Sequence, residues 1–393
     1  MKDNIFKTKI AEEVWKTKYK YQNETPFDTF KRIASSLASV EKNPEYWETI
    51  FLKTLLKFNE NGEIEGLKAL PGGRINANIG TGYKGASLLY CYISGIVKNA
   101  EIKYIRESKN GIKIPVQYNT PDTGDDLTNI CLTLLEQALT LGSEGGWGIN
   151  FSFIRPRGSI VKGIGVEHPG VLKFMEVFDK MAEVIVAGNN DGYIAPLKNI
   201  MNEEQLERLK NIYKGPKKAM SRKGAMMAVM NVEHPDIEEF IVAKQKGKTL
   251  TKFNMSVLLT DEFIDAVKTD SDFALRFEGK VYKVVKAKDL YDLIMKSTYN
   301  RNEPGVLFYD NMQKNNPLAY IGEANATNPC GEICGCPTTT TVCLLGSLNL
   351  TQYVNKDRTF NWEEYRNDIT VFVRMLDNVC DLHNNDLPAY LWS

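Results

Sequence analysis

The sequence has no run approaching the roughly 18 to 20 consecutive apolar residues of a membrane-spanning helix. Its first residues, Met1-Lys2-Asp3-Asn4, lack the apolar core of a secretory signal, so a cytoplasmic location is expected. It also has no excess of charge. The 49 Lys and Arg balance 49 Asp and Glu, which removes the electrostatic footprint expected of a protein that holds nucleic acid or a membrane surface. Small molecules and other proteins remain as partners. Histidine is scarce: His168, His234 and His383 are too scattered to suggest a histidine metal site. Neither a Walker loop nor G-x-G-x-x-G is present. Cysteine is neither abundant nor evenly spread. There are seven, an odd number, with Cys330, Cys334, Cys336 and Cys343 crowded together. That is not the framework of a secreted disulfide scaffold, and it points to thiol chemistry in a reducing compartment.

What is present is ordinary globular composition, 43% hydrophobic and 25% charged over 393 residues, enough to bury a large core. Residues 1–70 carry apolar positions at helical spacing, such as Phe27, Phe30, Ile33 and Ala34, and read as a small helical region. From Pro71 onward, glycine-rich turns separate short apolar runs. Ser87–Ser94 reads as a buried strand and Lys252–Val257 as another. Helices are expected after Asp125-Asp126, after Pro169, over Asp289–Tyr299 and over Trp362–Cys380. In the first of these, Leu127, Ile130, Cys131, Leu134, Leu135, Ala138 and Leu139 share one face, which is expected to turn inward and bury Cys131. Residues 188–220 read as a polar surface excursion. Strands alternating with helices imply an α/β fold with parallel strands.

The chemically dense stretch is Asn328-Pro329-Cys330-Gly331-Glu332, followed by Cys343 in Val-Cys-Leu-Leu-Gly-Ser. An amide, a thiol and a carboxylate fall within five residues. Pro329 pushes Asn328 into an extended conformation and Gly331 permits a φ that other residues resist, so the three side chains should sit on a tight loop. The threonine-rich run after it reads as a strand returning to the interior.

This stretch resembles the active-site finger loop of the ribonucleotide reductase catalytic subunit. Leu70-Pro-Gly-Gly-Arg-Ile75, Gly145-Gly-Trp-Gly-Ile-Asn-Phe-Ser152, Ile154-Arg-Pro-Arg-Gly-Ser159, Glu233-His-Pro-Asp-Ile-Glu-Glu-Phe-Ile241 and Glu303-Pro-Gly-Val-Leu-Phe308 resemble the same family in the same order. The resemblance implies the first half of a ten-stranded α/β barrel over residues 71–393, with the finger at 328–337. It implies that Cys330 becomes a thiyl radical, that Glu332 is a general base and that Asn328 orients Glu332 or the ribose hydroxyls. Cys91 and Cys343 would supply two electrons and end as a disulfide. Cys91, Gly146, Asn328 and Gly331 would contact substrate, and Asp126 and Arg155 an effector dNTP or ATP. Asp126 reads equally as a helix cap, and Arg155 as a surface ion pair. Tyr90 departs from the family, which usually has a small polar residue there, and 95–124 looks like an insertion.

The helical start, the Pro-Gly-Gly-Arg entry and the lack of room for a nucleotide-binding cone resemble the class II enzymes, which use adenosylcobalamin. The alternative is a class I large-subunit fragment that needs a radical-bearing small subunit. The implied substrate is a ribonucleoside di- or triphosphate and the implied reductant a thioredoxin or glutaredoxin-type protein. A second polypeptide carrying the C-terminal half of the barrel, or self-association, is expected to cover the open half. Two rival readings are an inactive half-enzyme acting as scaffold or regulator, and another thiyl or glycyl radical enzyme. Cys334 and Cys336 have no place in the family constellation.

Overall fold

The computed structural model describes residues 5–82, 87–107, 113–122, 124–161, 165–188, 224–245, 247, 249–336 and 340–383. The polar excursion expected at 188–220 lies almost wholly outside the described residues. The described residues form two compact units, one holding those between Cys91 and Val342 and one combining those up to Tyr90 with those from Cys343 onward.

The Cys91–Val342 unit is built on five parallel strands: β1 (Cys91–Ile93), β2 (Gly146–Asn150), β3 (Met226–Asn231), β4 (Phe253–Leu259) and β5 (Gly305–Phe308). Their spatial order follows their chain order, and β6 (Thr341–Val342) closes the β1 edge antiparallel, with Val342 opposite Tyr92. This is the α/β, parallel-stranded class read from the sequence. Strands β2 and β3 are buried along nearly their whole length, as expected of parallel strands covered on both faces. Helices α1 (Leu127–Gly142) and α2 (Val171–Gly188) make the first two crossovers. Met175, Phe178 and Ala182 of α2 are buried, and Phe178 stacks on Trp147 of β2 at 5.6 Å between ring centroids.

Helix α1 corrects the sequence reading. One side of its apolar stripe faces outward: Leu127, Leu135 and Leu139 are 65%, 49% and 41% exposed and Cys131 is exposed rather than buried, whereas Ile130 is buried and Leu134 packs against the core. Beside Ile130 and Leu141, the inward face is polar. Asn129 donates to the Pro121 carbonyl (2.8 Å), Thr133 accepts from the Val97 amide (3.0 Å) and Gln137 donates to the Phe178 carbonyl (2.8 Å). Thr133 thereby gives the Val97 amide the acceptor that an apolar side chain could not, and Asn129 and Gln137 place their own amide groups on backbone carbonyls. The expected insertion contains a two-stranded hairpin, Glu101–Glu107 with Lys113–Asn119.

In the other unit, helices Pro26–Ala38, Pro44–Leu55 and Trp362–Leu382 pack together. Thr25, Asn43 and Asn361 cap their starts. Asn378 donates to the Leu37 carbonyl at 2.8 Å, and Arg374 grips Glu41 with a forked pair of bonds at 2.6 and 2.7 Å. Ala69–Pro71 pairs antiparallel with Gly346–Leu348.

Candidate active site

The finger is a hairpin in which Ala326–Thr327 pairs with Cys334–Gly335. Asn328 organises its turn. Its Oδ1 accepts from the Ile333 amide (3.1 Å), its own amide donates to the Ile333 carbonyl (3.2 Å), and its carbonyl accepts from the Gly331 amide (3.0 Å). Gly331 has φ +80°, the left-handed conformation that the turn requires. Asn328 is fully buried, and its Nδ2 has no hydrogen-bond partner among the described residues. A buried amide donor left open is a group available to a ligand. Cys330 and Glu332 stand on the exposed side of the turn.

The finger lies directly on β2. A side chain at Gly148 would begin 2.0 Å from the Thr327 carbonyl oxygen. One at Gly146 would begin 2.8 Å from Pro329 Cγ and 3.2 Å from Cys91 Sγ. Gly146 and Gly148, on a strand rather than in a turn, are thus the seat of the finger. Asn254 of β4 secures the tip by donating to the Pro329 carbonyl at 2.8 Å. Asn150 of β2 donates to both Asn231 Oδ1 (2.8 Å) and the Asn325 carbonyl (2.9 Å), which steadies the hairpin's approach. Sequence reasoning passed over Thr327, Asn150 and Asn254. A lone asparagine in an apolar strand was the one available signal for Asn254.

Cys91 is half-buried at the start of β1, opposite Gly146 in the register. Val342, the residue before Cys343, pairs with Tyr92, the residue after Cys91. Cys343 itself is buried, and its carbonyl accepts from the Tyr90 amide at 3.1 Å. None of the seven cysteines is joined in a disulfide. The Tyr90 departure has a packing explanation. Its hydroxyl accepts from the Arg74 amide (2.7 Å), the Arg74 guanidinium lies 5.1 Å from its ring, and the hydroxyl fills the space where a Gly72 side chain would start. The Pro-Gly-Gly-Arg motif wraps this tyrosine.

The expected effector residues are placed differently from one another. Asp126 caps α1, accepting from the Thr128 amide at 2.9 Å. Arg155 is held by the neighbouring Asp125, which takes its backbone amide at 3.1 Å and its Nε. Asp125 also lines a cleft of about 350 Å³ with Asp122, Phe153, His234, Arg276 and Phe277. His234 is locked rather than poised for catalysis: Nε2 meets the Ile154 carbonyl at 3.0 Å, Nδ1 accepts from the Asp236 amide at 3.1 Å, and burial pushes its pKa down. Among the described residues no three His, Cys, Asp or Glu side chains are grouped to hold a metal ion, and no helix is long and apolar enough to cross a membrane.

A parallel half-barrel carrying an Asn-Pro-Cys-Gly-Glu finger on its glycine-rich second strand defines a ribonucleotide reductase type of scaffold. Residues 119–191 and 206–390 match the ribonucleotide reductase barrel domain, and the chain belongs to that family. It is 32% identical over 261 residues, 66% of this chain and 30% of the relative, to the vitamin B12-dependent ribonucleoside-diphosphate reductase of Thermoplasma acidophilum. The corresponding Mycobacterium tuberculosis protein is 32% identical over 267 residues, 67% of this chain and 34% of the relative. The ribonucleoside-diphosphate reductase subunit alpha of Chlamydia muridarum is 24% identical over 395 residues, covering 92% of this chain and 31% of that protein. The chain spans about a third of the length of these curated relatives.

Proposed function

We propose that this chain supplies the finger half of an active site that reduces ribonucleotides to 2′-deoxyribonucleotides, with a further polypeptide segment covering the finger. The observation that carries the reading is the common seat at Gly146, where Pro329 of the finger and the Cys91 sulfur meet. The exposure of Cys330 supports a covering segment, because a thiyl radical needs shelter from water and stray donors.

In this reading the Cys330 thiyl takes the 3′-hydrogen of the ribose and becomes a thiol. Glu332 accepts the 3′-hydroxyl proton as general base. Asn328, whose Nδ2 is open, holds a ribose hydroxyl or Glu332. The 2′-hydroxyl leaves as water. Cys91 and Cys343 supply the two electrons and two protons, and their sulfurs close into a disulfide. Cys330 returns the hydrogen at C3′ and is again a thiyl. The sum is ribonucleotide plus dithiol giving deoxyribonucleotide, disulfide and water, and a thioredoxin-type reductant restores the dithiol. Bound adenosylcobalamin, in keeping with the names of two relatives, would supply the homolysis that first oxidises Cys330. An exposed Cys330 fits approach by such a group. A ribonucleoside diphosphate is the favoured substrate, and Gly146 and Gly331 are the close-approach points for it. The region of Asp126 and Arg155, beside the cleft at Asp125, is the proposed effector neighbourhood.

The outward stripe of Leu127, Cys131, Leu135 and Leu139 supports pairing with a second copy of the chain. The test of the function is CDP reduction with adenosylcobalamin and a dithiol, by this chain together with the segment that completes the barrel. Activity is expected for wild type and absent for Cys330→Ser. Equal activity in the two would overturn the reading.

A further inference from the structure

On the face of β1 and β2 away from the finger lies an acid that the reaction does not use. Glu136 of α1 is 4% exposed. Its carboxyl oxygen accepts from the Ser94 hydroxyl. Ser94 comes three residues after Cys91, and its amide donates to the Gly148 carbonyl at 2.9 Å, which extends the β1–β2 ladder. The carboxyl of Glu136 is therefore one hydrogen bond away from the backbone that sets Cys91 beside Gly146.

Among the described residues no charged partner accompanies it. The groups that favour its anion are the Ser94 hydroxyl and the Trp147 indole of β2, and no Lys, Arg or His contributes. Among the described residues the indole N–H completes no regular hydrogen bond. On α1 its inward neighbours are neutral: Gln137 is tied to the Phe178 carbonyl of α2, and Thr140, one turn along, has a hydroxyl without a partner among the described residues. A buried carboxylate with so little compensation is strongly disfavoured, whereas a carboxylic acid can accept from Ser94 and donate its proton onward.

We propose that Glu136 is a positioning residue for the strand that carries Cys91, gripping Ser94 as a buried neutral acid, and that opening of this contact, which lets the acid ionise in water, becomes easier as pH rises. Burial raises its pKa to about 7, against an ordinary 4.5. A group whose folded pKa is raised contributes stability that is complete below the unfolded pKa. That stability is lost as pH rises toward the folded pKa, and above that the loss is constant. The window is thus about pH 4.5 to 7. The consequence for catalysis rests on the role proposed for Cys91, but the grip itself does not.

Amide hydrogen exchange on the purified full chain between pH 5 and 8.5, corrected for intrinsic rates, tests it. Protection over Cys91–Ser94 is expected to fall at least about tenfold from pH 5 to 7 and then level off, with no matching step in Trp362–Leu382. Glu136→Gln should flatten the profile, and Glu136→Ala should lower protection about tenfold already at pH 5. A flat wild-type profile, or the same step in Glu136→Gln, overturns the proposal. If neither variant folds, the wild-type profile decides alone. Because exchange needs no turnover, loss of ribonucleotide reduction would not be mistaken for loss of this device.

Discussion

Pro329 sits over Gly146 so closely that its Cγ lies 2.8 Å from the point where a side chain on that glycine would begin. Beside it, Gly148 is pressed by the Thr327 carbonyl oxygen at 2.0 Å. The two glycines should respond differently to substitution. Gly148→Ala meets backbone, which cannot swing away, and should cost more than about 3 kcal/mol. Gly146→Ala meets a ring and a thiol that can shift. It should cost about 1–2 kcal/mol but displace the finger, giving a larger loss in reduction rate than in stability. Chemical denaturation alongside turnover checks both.

Tyr90 and Gly72 are a second interlocked pair. Gly72→Ala should destabilise the unit that holds both by about 2–4 kcal/mol, because the Tyr90 hydroxyl occupies the methyl position. The double variant Gly72→Ala/Tyr90→Phe, which removes that oxygen, should recover part of the loss. A double-mutant cycle in thermal melts measures the coupling, and strict additivity would contradict it.

His234 predicts acid sensitivity. Desolvation outweighs the attraction of Asp236 and Asp125 and lowers its pKa below 6.5. The imidazole must be neutral for Nδ1 to accept from Asp236. The unfolded chain therefore binds a proton first, and stability should decline as pH falls below about 6.5. His234→Gln should show a shallower decline between pH 6.5 and 5 in denaturant midpoints, though lower stability at pH 8.

The outward stripe of α1 predicts self-association. Leu135→Glu should shift the sedimentation coefficient toward the monomer while leaving the circular dichroism spectrum unchanged, since Leu135 is 49% exposed. A wild-type chain that is already monomeric at tens of micromolar would remove this prediction.

How much of this was legible in the sequence differs from element to element. The finger turn was, because Pro329 and Gly331 restrict or free the backbone at fixed offsets and Asn328 has the side chain to tie it together. The cap at Asp126 was legible for the same local reason. The orientation of α1 was not. Periodicity reveals an apolar stripe but not which way it turns, and here Asn129, Thr133, Glu136 and Gln137 are drawn inward by an amide, carbonyls and a hydroxyl in neighbouring loops and in helix α2. The seating of the finger on Gly146 and Gly148 was not, since its partner, Thr327, lies about 180 residues away. Tyr90 looked like a substrate-site departure until its contact with the Pro-Gly-Gly-Arg turn appeared.

The most direct measurement is peptide mapping by mass spectrometry after turnover without external reductant, using this chain together with the segment that completes the barrel. A Cys91–Cys343 disulfide should accumulate one for one with deoxyribonucleotide, and neither should form in Cys330→Ser. Deoxyribonucleotide formed while Cys91 and Cys343 stay as free thiols would contradict the account.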